Sequence, residues 1–124
     1  MALGRRGEML AARYLRKNNF RILYRNFRGP RGGEVDIVCR DKSCATLAFV
    51  EVKTRRTHDF GGPAAAVDDV KRNLITRGAL AWLRMLDNPD ILFRFDIVEV
   101  VDTGALVSIN LIRDAFQLPD RYFW

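Results

Sequence analysis

The sequence predicts an α/β fold: a central mixed β-sheet flanked by helices, in the order α-β-β-β-α-β-β. Three observations predict it. Two segments, 4–18 and 64–86, carry apolar residues at helical spacing. Between them lie three apolar runs rich in β-branched and aromatic residues, joined by short polar segments. Two more such runs follow the second helix. The 124 residues suit one domain, 1–124, with one core.

The first helix has an apolar stripe of Met9, Leu10, Ala12, Tyr14 and Leu15, with Arg5, Arg6, Arg13, Arg16 and Lys17 around it. Asn18-Asn19 stops it, because Asn tolerates the left-handed conformation of a helix end. The first strand spans 20–27, and Gly29-Pro30-Arg31-Gly32-Gly33 is a turn. The second strand spans 34–40, Asp41-Lys42-Ser43 turns the chain, and the third strand spans 46–54. Connections this short make the three strands antiparallel. A polar loop, 55–63, ends in Pro63, which suits a first helical turn. The second helix places Val67, Val70, Leu74, Ile75, Trp82 and Leu86 near helical spacing. Its Gly78 either weakens it or admits another element closely. Asn88-Pro89 ends it. Strands at 91–101 and 106–112 follow, then a short helical turn at 114–117. The aromatic tail Tyr122-Phe123-Trp124 is read as capping the core, with a dimer contact as the other reading.

Hydrophobic residues make up 48% and charged residues 29%, which excludes a disordered or fibrous chain. No apolar run approaches the roughly 18 residues of a membrane span. No apolar stretch follows the basic N-terminus, so a secretory signal is not expected. The expected setting is cytoplasmic, without a membrane partner. Lys and Arg number 21 against 15 Asp and Glu, a net charge of +6 that suits a nucleic-acid partner. Cys39, Cys44 and the single His58 are too few for a four-ligand zinc site, so both cysteines read as reduced thiols.

The acids inside apolar strands need a reason. Alternation puts Phe49, Glu51 and Lys53 on one face of the third strand, and Glu34, Asp36 and Val38 on one face of the second. A hairpin then brings Asp36 beside Glu51. Two carboxylates together repel unless a cation lies between them. Oxygen donors of this kind suit Mg²⁺ or Mn²⁺. Lys53 adds a positive charge that would orient water or stabilise a pentacovalent phosphate. Metal, water, lysine and phosphate are the parts of a phosphodiesterase.

Asp36 followed by Glu51-Val52-Lys53 on the next strand resembles the core motif of the PD-(D/E)xK nucleases, the restriction-endonuclease-like superfamily. Gly4-Arg5-Arg6-Gly7-Glu8, Gly33-Glu34-Val35-Asp36-Ile37, Phe49 to Arg55, Lys71 and Arg94-Phe95-Asp96-Ile97-Val98 together resemble the YraN family. The resemblance covers essentially the whole chain. It implies a fold similar to archaeal Holliday junction resolvases and a Mg²⁺- or Mn²⁺-dependent DNA endonuclease acting on branched or structured DNA. It implies Asp36, Glu51 and Lys53 as catalytic residues, and Glu8, Asp36 and Glu51 as metal-binding acids. Glu34 and Lys71 match supporting polar positions. Val35 stands where the motif has Pro, and Asn19 where relatives often have Gly. Arg5, Arg6, Arg31, Arg55 and Arg56 flank the motif and are the candidate phosphate contacts. A symmetric substrate would favour a homodimer. The alternative is a non-catalytic nucleic-acid-binding or assembly protein that keeps the nuclease fold.

Overall fold

The computed structural model describes residues 3–57 and 68–118. The elements are α1 (Leu3–Lys17), β1 (Phe20–Arg28), β2 (Glu34–Asp41), β3 (Thr46–Arg55), α2 (Asp69–Met85), β4 (Phe93–Asp102) and β5 (Val107–Phe116), with a short 3₁₀ turn, Pro30–Gly32, between β1 and β2. The expected order is the observed one. The five strands form one sheet in sequence order. All neighbours are antiparallel except β3 and β4, which are parallel. A parallel pair needs a long crossover, and α2 supplies it.

The sheet is covered on both faces, which is why β3 is buried from Thr46 through Glu51. On one face α1 buries Ala11, Ala12 and Leu15 against Ile37, Cys39, Ala48, Val50, Val98 and Val100. On the other, α2 packs Ile75, Ala79, Ala81 and Leu83 against Phe27, Val35, Phe49, Phe95 and Ile97.

Two glycine contacts set how close the helices come. A Cβ on Gly7 would lie 2.0 Å from Thr54 Oγ1, so α1 sits directly on β3. A Cβ on Gly78 would lie 2.8 Å from Glu34 N, and one on Gly33 would lie 2.8 Å from Gly78 N. Gly78 therefore admits the start of β2, one of the two roles its place in the sequence allowed.

Several boundaries differ from expectation. The second helix starts after Asp68, whose carboxylate caps it by accepting Lys71 N at 2.9 Å. Its expected first turn at 64–67, together with Pro63 and His58, lies outside the described residues. So does the tail at 122–124. Val70 and Leu86 are exposed rather than part of the apolar stripe. The expected helical turn at 114–117 is instead the end of β5. There Asp114 adopts φ 54° and its N–H donates to Asp96 Oδ1 at 2.9 Å, which holds the segment against β4. No helix among the described residues is long and apolar enough to cross a membrane. Both cysteines are free thiols.

Candidate functional site

The sheet splits at one end. Pairing between β2 and β3 stops at Ile37 opposite Val50. Beyond it β2 follows β1 as far as Glu34, and β3 follows β4 as far as Arg55. The strands part like the tines of a fork. Asp36 lies in the opening, where its Oδ2 accepts the Val52 N–H at 2.8 Å. Strict alternation fails here. Val35 and Val38 both belong to the core under α2. The expectation that Glu34, Asp36 and Val38 simply share a face is thereby corrected: the backbone bends at Asp36.

Glu51 stands on the α2 side of the fork and is 3% exposed. Its Oε1 is 3.7 Å from Lys53 Nζ and 3.5 Å from Lys71 Nζ. These are ion-pair separations, beyond good hydrogen bonds. Its Oε2 is buried without a hydrogen-bond partner. Burial, then the neighbouring charge of Asp36, pushes the Glu51 carboxyl up to about 8, and the two lysines only partly offset this.

Lys71 also bonds Glu34, which Arg28 engages from the other side. The Lys71 contact is the leading cause that holds Glu34 below its ordinary value. Burial works against the Lys71 charge, yet Glu34 and Glu51 raise its pKa overall. Glu34 is therefore the residue that positions Lys71 at the fork. Lys71 and Gly78 are seven residues apart on one helix face, so the glycine contact with β2 sets this placement.

Glu8 approaches from α1. Burial and the Asp36 charge raise its pKa, against a hydrogen bond from Asn26. Asn26 has φ 55°, a left-handed conformation inside β1. Arg5, Glu8, Met9, Arg25 and Asn26 line an open cleft of about 450 Å³. Asp36 thus feels an acid on each side, Glu51 and Glu8. Among the described residues no three acids, histidines or cysteines converge closely enough to hold an ion as they stand.

The expected phosphate contacts scatter. Arg5 stays in the cleft beside Glu8. Arg6 Nε bonds Asp102 Oδ2 at 2.8 Å, which ties α1 to β4. Arg55 pairs with Glu99 at 3.4 Å. Arg56 lines a separate small cleft with Asp102, Thr103 and Gly104. Arg31 lies over α2. The charges of Arg25 and Arg28, by contrast, act on Glu8, and Arg28 also pairs with Glu34.

A second acid cluster escaped the sequence reading. Arg94 Nε donates to Asp96 Oδ1 at 2.9 Å and Oδ2 at 3.0 Å, and its Nη2 donates to Asp41 Oδ2 at 2.7 Å. Burial favours the neutral Asp41, but hydrogen bonds from Ser43 and Arg94 prevail and hold it well below the usual carboxylate range. The same acids keep the Arg94 guanidinium firmly charged against burial. Arg94-x-Asp96 on one strand face was a visible signal. Asp41 was not, because only the parallel β3–β4 pairing brings it near.

The model of Uncharacterised protein family UPF0102 matches residues 7–100. A UPF0102 protein of Nocardia farcinica is 52% identical over 116 residues, covering 93% of this chain and 89% of the relative. One from Geobacter sulfurreducens is 49% identical over 117 residues, covering 94% and 89%. The chain belongs to the UPF0102 family. The match spans every element that builds the fork in this UPF0102 chain, from Gly7 and Glu8 to β4.

Proposed function

We propose that this UPF0102 protein is a metal-dependent endonuclease that hydrolyses phosphodiester bonds in DNA, with branched or structured DNA as its substrate. The observation that carries the reading is Glu51. A buried carboxylate with one unpartnered oxygen, beside a second carboxylate, is costly in an apolar sheet. A hard divalent cation removes that cost. The donors fit Mg²⁺ or Mn²⁺, which take one or two carboxylates together with water and phosphate oxygens. Asp36 and Glu51 would hold the ion, with Glu8 at the edge of the same site. When bound, it supplies Lewis-acid polarisation of the phosphoryl group and neutralises its charge.

The chain's own residues do the rest. Lys53, one quarter exposed, presents its ammonium to the fork, where it orients the attacking water and stabilises the extra charge of a pentacovalent phosphate. Lys71, restrained by Glu34, places a second positive charge beside Glu51. Arg5, Arg25 and Arg28 supply positive potential around the opening.

One observation favours the non-catalytic reading. Lys53 and Lys71 already sit as counter-ions to Glu51, so its charge has partners without a metal. A cleavage assay in Mn²⁺ and Mg²⁺ separates the two. Linear, single-stranded, flapped and four-way-junction DNA are incubated with wild type and Glu51→Gln. The expected outcome is cutting by wild type alone. Binding without cutting by wild type supports the non-catalytic alternative.

A further inference from the structure

We propose that the cleft over α2 is a docking groove for a single-stranded nucleic-acid flank that leaves the fork. The assignment rests on the phosphodiester reading above and names where the substrate continues.

Two clefts adjoin there. One, about 590 Å³, is lined by Pro30, Arg31, Arg77, Leu80, Arg84 and Asn88. The other, about 420 Å³, shares Pro30 and Arg84 and adds Arg28 and Met85. Charge complementarity selects the occupant. Together these walls carry four arginines, of which Arg28 is engaged by Glu34 at the fork end, and among the described residues no acid lines them. Guanidinium groups bind phosphate oxygens bidentately and are held less tightly by water than ammonium groups. The floor is apolar, from Pro30, Leu80 and Met85. Phosphates beside arginines with bases laid on an apolar floor is the arrangement that single strands require. A duplex would bury its bases away from that floor.

Spacing agrees. Arg77 and Arg84 are seven residues apart on one helix face, about 10.5 Å along the axis. That separation lets the two guanidinium groups engage two different phosphates of one strand.

The groove is also continuous with the fork. Lys71 contacts Glu51 and Glu34, Glu34 bonds Arg28, and Arg28 lines the groove. The loop between them is held in a demanding conformation. Arg31 takes φ 58° beside Gly32 at φ 76°, and Arg77 Nη1 donates to the Arg31 carbonyl at 3.1 Å. A left-handed non-glycine residue is uncommon and persists where its surroundings fix it. Here that conformation brings Arg31 to the groove wall.

The test is fluorescence anisotropy in EDTA, so that no cleavage intervenes. The probes are a blunt duplex and the same duplex with a short single-stranded flank. Wild type is compared with Arg77→Glu/Arg84→Glu and with Arg84→Gln, which leaves the Arg77–Arg31 contact intact. The expected result is tighter binding of the flanked probe by wild type. The double variant loses ~10-fold on that probe and under ~2-fold on the blunt duplex, and its log–log salt slope is shallower by about 1.4; Arg84→Gln shifts it by about 0.7. Equal binding of the two probes by wild type overturns the groove. So do unchanged affinity and slope in both variants, or displacement of the probe by polyglutamate as effective as by oligonucleotide. The two readings fail separately. Binding as expected without any cleavage in Mn²⁺ removes the hydrolase and leaves the groove. Cleavage with unchanged binding by the variants removes the groove and leaves the hydrolase.

Discussion

The two acid clusters of this protein lie toward opposite ends of β3, and they are built in opposite ways. At the end near the β2–β3 turn, Asp41 and Asp96 are almost wholly buried and fully engaged. Arg94 bridges them at 2.7–3.0 Å, Ser43 caps Asp41 and the Asp114 N–H reaches Asp96. At the fork, Glu51 is as deeply buried, yet its nearest cations stand at 3.5 and 3.7 Å and one oxygen has no partner. Burial alone therefore does not mark a site. The first cluster is complete and serves to pin the turn to β4 and β5. In the second, the cations stand off at ion-pair distance and one Glu51 oxygen is left without a hydrogen bond. What distinguishes a ligand site from a structural lock here is satisfaction of the carboxylates.

The largest expected effect breaks the lock. Arg94→Met leaves Asp96 buried without its cation and Asp41 with only the looser Arg113 contact at 3.6 Å, and is expected to cost about 3–5 kcal/mol of stability. Lys53→Met at the fork is expected to cost under about 1 kcal/mol, since its ion pair is loose and partly solvated. Urea unfolding of both variants gives the ranking; equal losses would erase the contrast.

The clusters should also respond to pH with opposite signs. Glu51 is raised from 4.5 to about 8 in the folded protein. Its contribution to stability is fully present below about pH 4.5 and is lost as pH rises through about 8. Asp41 is depressed, so its contribution is present above the ordinary carboxylate value of 3.8 and is lost as pH falls below that value. Glu51→Gln is accordingly expected to be more stable than wild type at pH 9, by about 1–3 kcal/mol, and equal to it below pH 4.5. Thermal melts across pH check this. A variant less stable than wild type at pH 9 would mean that the ionised Glu51 is well paired after all.

A smaller effect sharpens how the fork is held. Gly78→Ala gains about 1 kcal/mol in helix propensity. It also drives a methyl group to 2.8 Å from the Glu34 backbone, an overpacking cost of about 1–3 kcal/mol. A net loss of up to about 2 kcal/mol is expected, measured by the urea midpoint. Net stabilisation would show that α2 yields without strain, and that Lys71 does not depend on this contact for its position.

Much of this was legible in the sequence, for identifiable reasons. Alternation placed Glu51 and Lys53 on one face of a strand, and short connections implied the hairpin that brings Asp36 to them. The element order followed from periodicity. The fork itself was not legible, because it arises where the β2–β3 pairing ends while β2 stays paired with β1 and β3 with β4, a matter of register. The link from Lys71 to Glu34 depends on two glycines, 33 and 78, meeting across the fold. The end of β5 was misread because Asp114 favours turns locally, while a hydrogen bond to Asp96, 18 residues earlier, holds it in the strand. Tertiary contacts decide each of these, and local pattern carries no trace of them.

The contrast between the clusters comes down to whether the fork is completed by a cation. Isothermal titration of Mn²⁺ into wild type and Glu51→Gln, at pH 6.5 and pH 8.5, tests it most directly. Binding to wild type that strengthens at the higher pH with proton release, and is lost in Glu51→Gln, is the predicted result. No Mn²⁺ binding by wild type, or equal binding by both proteins, would contradict the account.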